Sequence, residues 1–160
     1  MHESHIDPTQ PKSVLYRQVV EELRALTENE PDWIANLANS AALLYHSLPD
    51  LNWAGFYLLK DGELVVGPFQ GKPACVRIAL GKGVCGTAAA QKKTQVVRDV
   101  HEFAGHIACD SASNSEIVVP MIRDGELIGV LDLDSPKLAR FDAEDRDGLE
   151  GFVAALLAAT

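Results

Sequence analysis

The chain has 160 residues, 47% hydrophobic and 23% charged, which fits one soluble domain with a substantial single core. Its net charge of −9 disfavours nucleic acid, whose phosphates need a basic footprint. No apolar run approaches the roughly 18–20 residues that span a bilayer, and MHESHIDPTQPK has no apolar signal core, so a cytoplasmic location is expected.

Residues 1–12 read as a mobile N-terminal tail and 13–160 as a single domain. From Ser13 to Thr27, Leu15, Val19, Leu23 and Leu26 fall at helical spacing. Trp33, Leu37, Ala41, Leu44 and Leu48 form the stripe of a second helix that Pro49 stops. The period then changes. WAGFYLL (53–59) favours a strand, Asp61-Gly62 is a turn signal, and ELVVG follows as its hairpin partner. The phrase LLKDGELVVG (58–67) returns as MIRDGELIGV (121–130), which marks reuse of one turn chemistry in two hairpins. Between them come a strand at 74–80, a helix opening near Gly83 and a strand at 94–97. The last helix runs from Asp142, a candidate N-cap, and sets Leu149, Phe152, Val153, Leu156 and Leu157 on one face. Terminal helices around antiparallel hairpins imply an α+β fold, with helices on one face of a sheet and the other face free to carry a site.

The stretch 99–116, DVHEFAGHIACDSASNSE, resists assignment to helix or strand. A loop this long inside a compact domain is functional or disordered, and Phe103, Ile107 and Cys109 supply apolar anchors that argue against disorder. It is expected to lid a polar pocket. Alternate residues of a strand share a face, so Trp53, Gly55 and Tyr57 look one way, two aromatics separated by a bare glycine that leaves a slot. The plainer alternative is a pair of half-buried sheet aromatics. In GVLDLDSP the same rule puts Asp132 and Asp134 on one face, with Glu116 able to join them from the loop exit. Such a cluster suits an ammonium group, a carboxyl kept protonated as an acid, or a divalent metal; a solvated strand end is the bland alternative.

Three cysteines, at 75, 85 and 109, form no C-x-x-C, which argues against structural zinc, and an odd number excludes a fully paired framework within the chain. Cys85 opens a helix, a setting that favours thiolate. Cys75 could equally be an inert strand residue. Cys109, between His106 and Asp110, is the best nucleophile candidate.

The segments NWAGFYLL (52–59), GPFQGKPAC (67–75), GKGVCGTAA (81–89), GHIACDSASNSEIVVP (105–120) and GVLDLDSP (129–136) closely resemble the free methionine-(R)-sulfoxide reductases, which are GAF-domain proteins. The resemblance spans about 13–158 and includes all three cysteines; Ala104 and Met121 depart from it. It implies a GAF fold: a six-stranded antiparallel sheet with helices on one face and a loop-lidded pocket on the other. It also implies that Cys109 attacks the sulfoxide sulfur, that Cys75 and Cys85 are resolving thiols, and that Trp53, Tyr57, Glu116, Asp132 and Asp134 bind substrate. No metal and no cofactor are expected beyond an external thiol reductant, thioredoxin. Expected partners are free methionine sulfoxide, thioredoxin and a second copy of the chain, with no nucleic acid and no membrane. A GAF-type ligand-binding or redox-sensing module without turnover is the alternative.

Overall fold

The computed structural model describes residues 5–106 and 111–160. Its elements follow in the order α1 (Lys12–Thr27), α2 (Trp33–Ser47), β1 (Trp53–Lys60), β2 (Glu63–Gly71), β3 (Arg77–Ala79), α3 (Gly83–Gln91), β4 (Gln95–Val97), β5 (Ser115–Arg123), β6 (Glu126–Ser135) and α4 (Ala143–Ala158). A single 3-10 turn, Val100–Glu102, precedes β5. The six strands form one antiparallel sheet in the order β3-β2-β1-β6-β5-β4.

Both hairpins close as the Asp-Gly pairs dictate. Asp61 and Gly62 have φ of 51° and 82°, Asp124 and Gly125 of 51° and 81°, the two positive values a type I′ turn requires. That turn matches the right-handed twist of the strands it joins, so the two repeated phrases fix the registers of β1 with β2 and of β5 with β6.

The three long helices bury one face of the sheet. Leu15, Val19 and Leu23 of α1, Leu37 and Leu44 of α2, and Leu149, Phe152 and Leu156 of α4 meet Ala54, Phe56, Ile117, Val119, Leu131 and Leu133. The helix residues and Leu131 and Leu133 are those that period-3.6 and period-two spacing assign to the core, while Leu26, Trp33 and Leu157 of the helix stripes are only partly buried. The stripe of α4 is held at its N-terminus by a capping box in which Asp142 accepts from the Glu144 and Asp145 backbone and Asp145 accepts from the Asp142 N–H. Asp145 does more than favour the helix dipole. It is 1% exposed and takes Tyr16 Oη at 2.7 Å, Lys12 Nζ at 2.6 Å and Arg140 Nη1 at 3.3 Å, tying α1 to α4.

Two expectations shift. Not every helix lies on one face: α3 packs on the opposite side, where Val84, Cys85, Ala88 and Ala89 join Trp53, Tyr57, Val118 and Val130 in a second apolar cluster. And β3 is only three residues, since 74–76 run irregularly after Pro73 before the short pairing with β2.

Candidate active site

Strand pairing brings separate sequence signals onto one face. In β1 and β6 Trp53 is opposite Asp134 and Gly55 is opposite Asp132, while in β5 and β6 Glu116 is opposite Asp134 and Val118 is opposite Asp132. Directly opposed residues of an antiparallel pair point the same way, so Trp53, Tyr57, Glu116, Asp132 and Asp134 share the face away from the long helices. They line one pocket, roofed by Lys72–Ala74, the start of α3 with Cys85, and His106 and Ser113 from the long loop.

The floor is aromatic. Trp53 and Tyr57 are 3% and 2% exposed, with ring centroids 5.8 Å apart and planes 26° apart. The slot expected at Gly55 is absent, because Phe69 occupies it: a Cβ at Gly55 would collide with the Phe69 Cβ and stand 2.7 Å from its Cα. β2 carries a bulge here, passing from the Gly55–Phe69 pair to Tyr57–Val66, and Phe69 stacks on Trp53 at 5.1 Å. Glycine at 55 therefore admits the close approach of the β2 backbone and the Phe69 Cβ. Gly55→Ala is expected to destabilise the fold by about 1–3 kcal/mol by overpacking. A thermal melt checks it, with a drop of roughly 2–4 °C for each kcal/mol in a chain of this size.

Each floor aromatic also holds the roof. Trp53 Nε1 donates to the Lys72 carbonyl at 3.1 Å, and Tyr57 Oη donates to the Cys75 carbonyl at 2.9 Å. Burial, and after it the charge of Asp132, raises the Tyr57 phenol far above its ordinary value, so it stays a donor.

The carboxylates are unusually dry. Glu116 is 7% and Asp132 5% exposed, while Asp134 is half-buried. Burial lifts Glu116 well above the ordinary glutamate range, and the neighbouring charges of Asp132 and Asp134 lift it further. Burial raises Asp132 too, but there hydrogen bonds from Glu116 and Cys85 act in the opposite direction. Both shifts favour a shared proton in the pair, with the neighbouring charges adding to the upward push on Glu116. Cys85 Sγ lies 4.0 Å from Glu116 Oε2. Desolvation, then Asp132 and Glu116, push its thiol well above the usual range. This runs against the thiolate expected from its place at a helix start: full burial beside carboxylates opposes the partial charge of the helix end.

The cysteines differ in state: Cys75 is disulfide-bonded and Cys85 is a free buried thiol. Ile107, Cys109 and Asp110 lie outside the described residues. The flanks of that stretch are anchored. Phe103 packs against the second apolar cluster, Val100 N–H donates to the Asn114 carbonyl at 3.0 Å, Asn114 N–H donates to Ser135 at 2.8 Å, and Asn52 Nδ2 donates to Ser113 Oγ at 3.0 Å. Burial, and then the charge of His101, lower the His106 pKa, which favours a neutral imidazole at the pocket. Spacing alone did not single out Lys72, Lys82, Phe69 or Ser113. Three of them stand within or beside the quoted segments GPFQGKPAC and GKGVCGTAA, where their motif context was the available signal.

The architecture defines the class, for residues 41–159 match the GAF domain family. The chain is 55% identical over 145 residues to the free methionine-R-sulfoxide reductase of Escherichia coli (strain K12), covering 91% of this chain and 88% of that protein. It is 45% identical over 147 residues to the protein of the same name from Saccharomyces cerevisiae, with coverages of 87% and 82%. The free methionine-R-sulfoxide reductase of Neisseria meningitidis, solved with its substrate, superposes with a TM-score of 0.94 at 46% identity over 99% of this chain and 95% of that one. The chain belongs to the free methionine-R-sulfoxide reductase family, oxidoreductases built on a GAF domain. Among the described residues no helix is long and apolar enough to cross a membrane.

Proposed function

We propose that this protein reduces free L-methionine (R)-sulfoxide to methionine by thiol chemistry. What supports this above all is one pocket that joins an aromatic floor, buried carboxyls and the segment carrying Cys75, in a chain 55% identical to a reductase of that name. Free methionine sulfoxide offers an ammonium, a carboxylate, a polar sulfoxide and an apolar chain. Trp53 and Tyr57 hold the methylenes and methyl. Asp132 and Asp134 hold the ammonium. Glu116, which retains its proton, donates to the sulfoxide oxygen as sulfur is attacked. The substrate carboxylate meets loop N–H groups and the positive rim of Lys72 and Lys82.

Cys109 is the attacking thiol. Its sulfur takes up the oxygen equivalent, so that methionine leaves and Cys109 becomes a sulfenic acid. A second cysteine thiol condenses with the sulfenic acid, releasing water and forming a disulfide. The disulfide-bonded state of Cys75, against the free thiol of Cys85, supports Cys75 as the first to resolve. Two thiols of an external reductant, thioredoxin, then restore the enzyme and leave as a disulfide. No metal or organic cofactor takes part in this sequence.

The test is multiple turnover with thioredoxin or dithiothreitol on four substrates: the free R- and S-epimers, N-acetyl methionine sulfoxide and a protein-bound sulfoxide. Only the free R-epimer is expected to be consumed well. Acetylation removes the charged hydrogen bond at nitrogen, on the order of 1.5–3 kcal/mol, and adds bulk under the roof. Equal kcat/KM for the free and N-acetyl compounds would mean an open pocket and a different substrate. Oxidation of the cysteines without turnover would favour a sensor.

A further inference from the structure

The cluster of Cys85, Glu116 and Asp132 has a property that sulfoxide chemistry does not require. One potential ligand atom from each lies within 4.8 Å of the other two, and the residues are 5%, 7% and 5% exposed. They come from three elements fixed by packing: α3, β5 and β6. Asp132 Oδ1, fully buried at the pocket wall, has no hydrogen-bond partner. A buried carboxylate oxygen left unpaired is costly unless a cation meets it.

Zinc bonds to thiolate sulfur at about 2.3 Å and to carboxylate oxygen at about 2.0–2.2 Å, which puts tetrahedral ligand atoms roughly 3.3–3.8 Å apart. The Cys85 Sγ to Glu116 Oε2 separation of 4.0 Å needs to close by only a few tenths of an ångström. Three protein ligands leave a fourth position facing the pocket for water. The sulfur discriminates among cations, because magnesium and calcium take all-oxygen shells while a thiolate favours zinc-like ions. Cys85 is free while Cys75 is disulfide-bonded, so its sulfur is available in that redox state, and a bound cation would displace the protons of Cys85 and Glu116.

We propose that Cys85, Glu116 and Asp132 form a binding site for a zinc-like divalent cation that excludes substrate from the pocket. The second half rests on the proposed function, since the ammonium and the metal claim the same carboxylates. The metal is an inhibitor here, not a cofactor.

The binding arm uses no substrate. Equilibrium dialysis of the whole protein against Zn²⁺, with Co²⁺ as a spectroscopic stand-in, is expected to give one ion per chain and a thiolate-to-cobalt charge-transfer band. The band persists in a variant combining Cys75→Ser and Cys109→Ser and vanishes in Cys85→Ser; Asp132→Asn and Glu116→Gln weaken binding roughly tenfold or more. In the kinetic arm, Zn²⁺ raises KM for the sulfoxide and chelator reverses the effect. No stoichiometric binding, or a band that survives Cys85→Ser, overturns the site. Zinc that binds with the KM unchanged overturns the competition. Absence of sulfoxide turnover in metal-free wild type sinks the proposed function while the binding arm still decides the site.

Discussion

Cys109→Ser is expected to lower turnover of free methionine (R)-sulfoxide by roughly 10³-fold or more, because an alcohol near neutral pH is a far poorer nucleophile than a thiolate and loss of a nucleophile is among the largest single effects in catalysis. Single-turnover release of methionine isolates the first step from recycling. The Cys109→Ser variant should release none, whereas Cys75→Ser should release close to one equivalent and then stall with thioredoxin. Near wild-type release from Cys109→Ser would remove Cys109 from the attacking role. Abolition of the first release in Cys75→Ser would transfer that role to Cys75.

The second large effect is at the carboxyls, and it runs in opposite directions for activity and stability. Glu116→Gln keeps the shape and removes the transferable proton, so kcat/KM should fall by roughly 10²-fold or more, the usual contribution of a positioned acid. Asp134→Asn should fall too, through lost attraction for the ammonium. Stability moves the other way. The folded-state pKa of Glu116 lies well above its ordinary value of 4.5, so between those two values the native state binds the proton that the unfolded chain has released. Stability therefore falls as pH rises from about 4.5 towards the raised folded value, and the penalty is complete above it. Gln carries no such penalty. Relative to wild type, Glu116→Gln should melt higher, by a margin that widens from pH 5 to pH 8 in chelator-containing buffer. A pH-independent difference in Tm, or activity within a few fold of wild type, would mean that Glu116 is ionised and idle.

Each half of the site could be read on its own strand. Period-two spacing put Trp53 with Tyr57 and Asp132 with Asp134, because the pleat leaves no other choice, and Asp61-Gly62 and Asp124-Gly125 named their turns outright. Joining the halves depends on β1 (ending at Lys60) pairing with β6 (starting at Glu126), two strands far apart in the chain whose faces are known but whose neighbours are not. The spacing of a strand says nothing of its partner, and only the resemblance to a family supplied one. The same blindness explains Gly55. Its freedom from a side chain was legible, but Phe69 reaches it through a bulge in β2, and a bulge is an event of pairing. Cys85 was misjudged for a related reason. A helix start is visible in GKGVCGTAA, whereas the buried carboxyls that overrule it arrive from β5 and β6. The short β3 was not legible either: contact with β2 starts only at Val76, whose carbonyl accepts from the Val66 N–H, after the irregular stretch that follows Pro73.

The two hydrogen bonds from the floor to the roof, Trp53 to Lys72 and Tyr57 to Cys75, involve no sulfur atom. Reduction of the disulfide at Cys75 would remove one covalent restraint on that segment, and neither of these bonds depends on the sulfur. The liberated thiol is thereby tethered beside the pocket rather than released on a swinging loop. A thiol so confined competes for an electrophilic sulfur as an intramolecular neighbour, with the large effective molarity that geometry confers, against cellular thiols that must arrive by diffusion. If Cys75 resolves the oxidised centre as proposed, ring closure is then favoured over capping by stray small thiols, and Tyr57, a residue with no redox chemistry in that scheme, becomes one determinant of which sulfur arrives first.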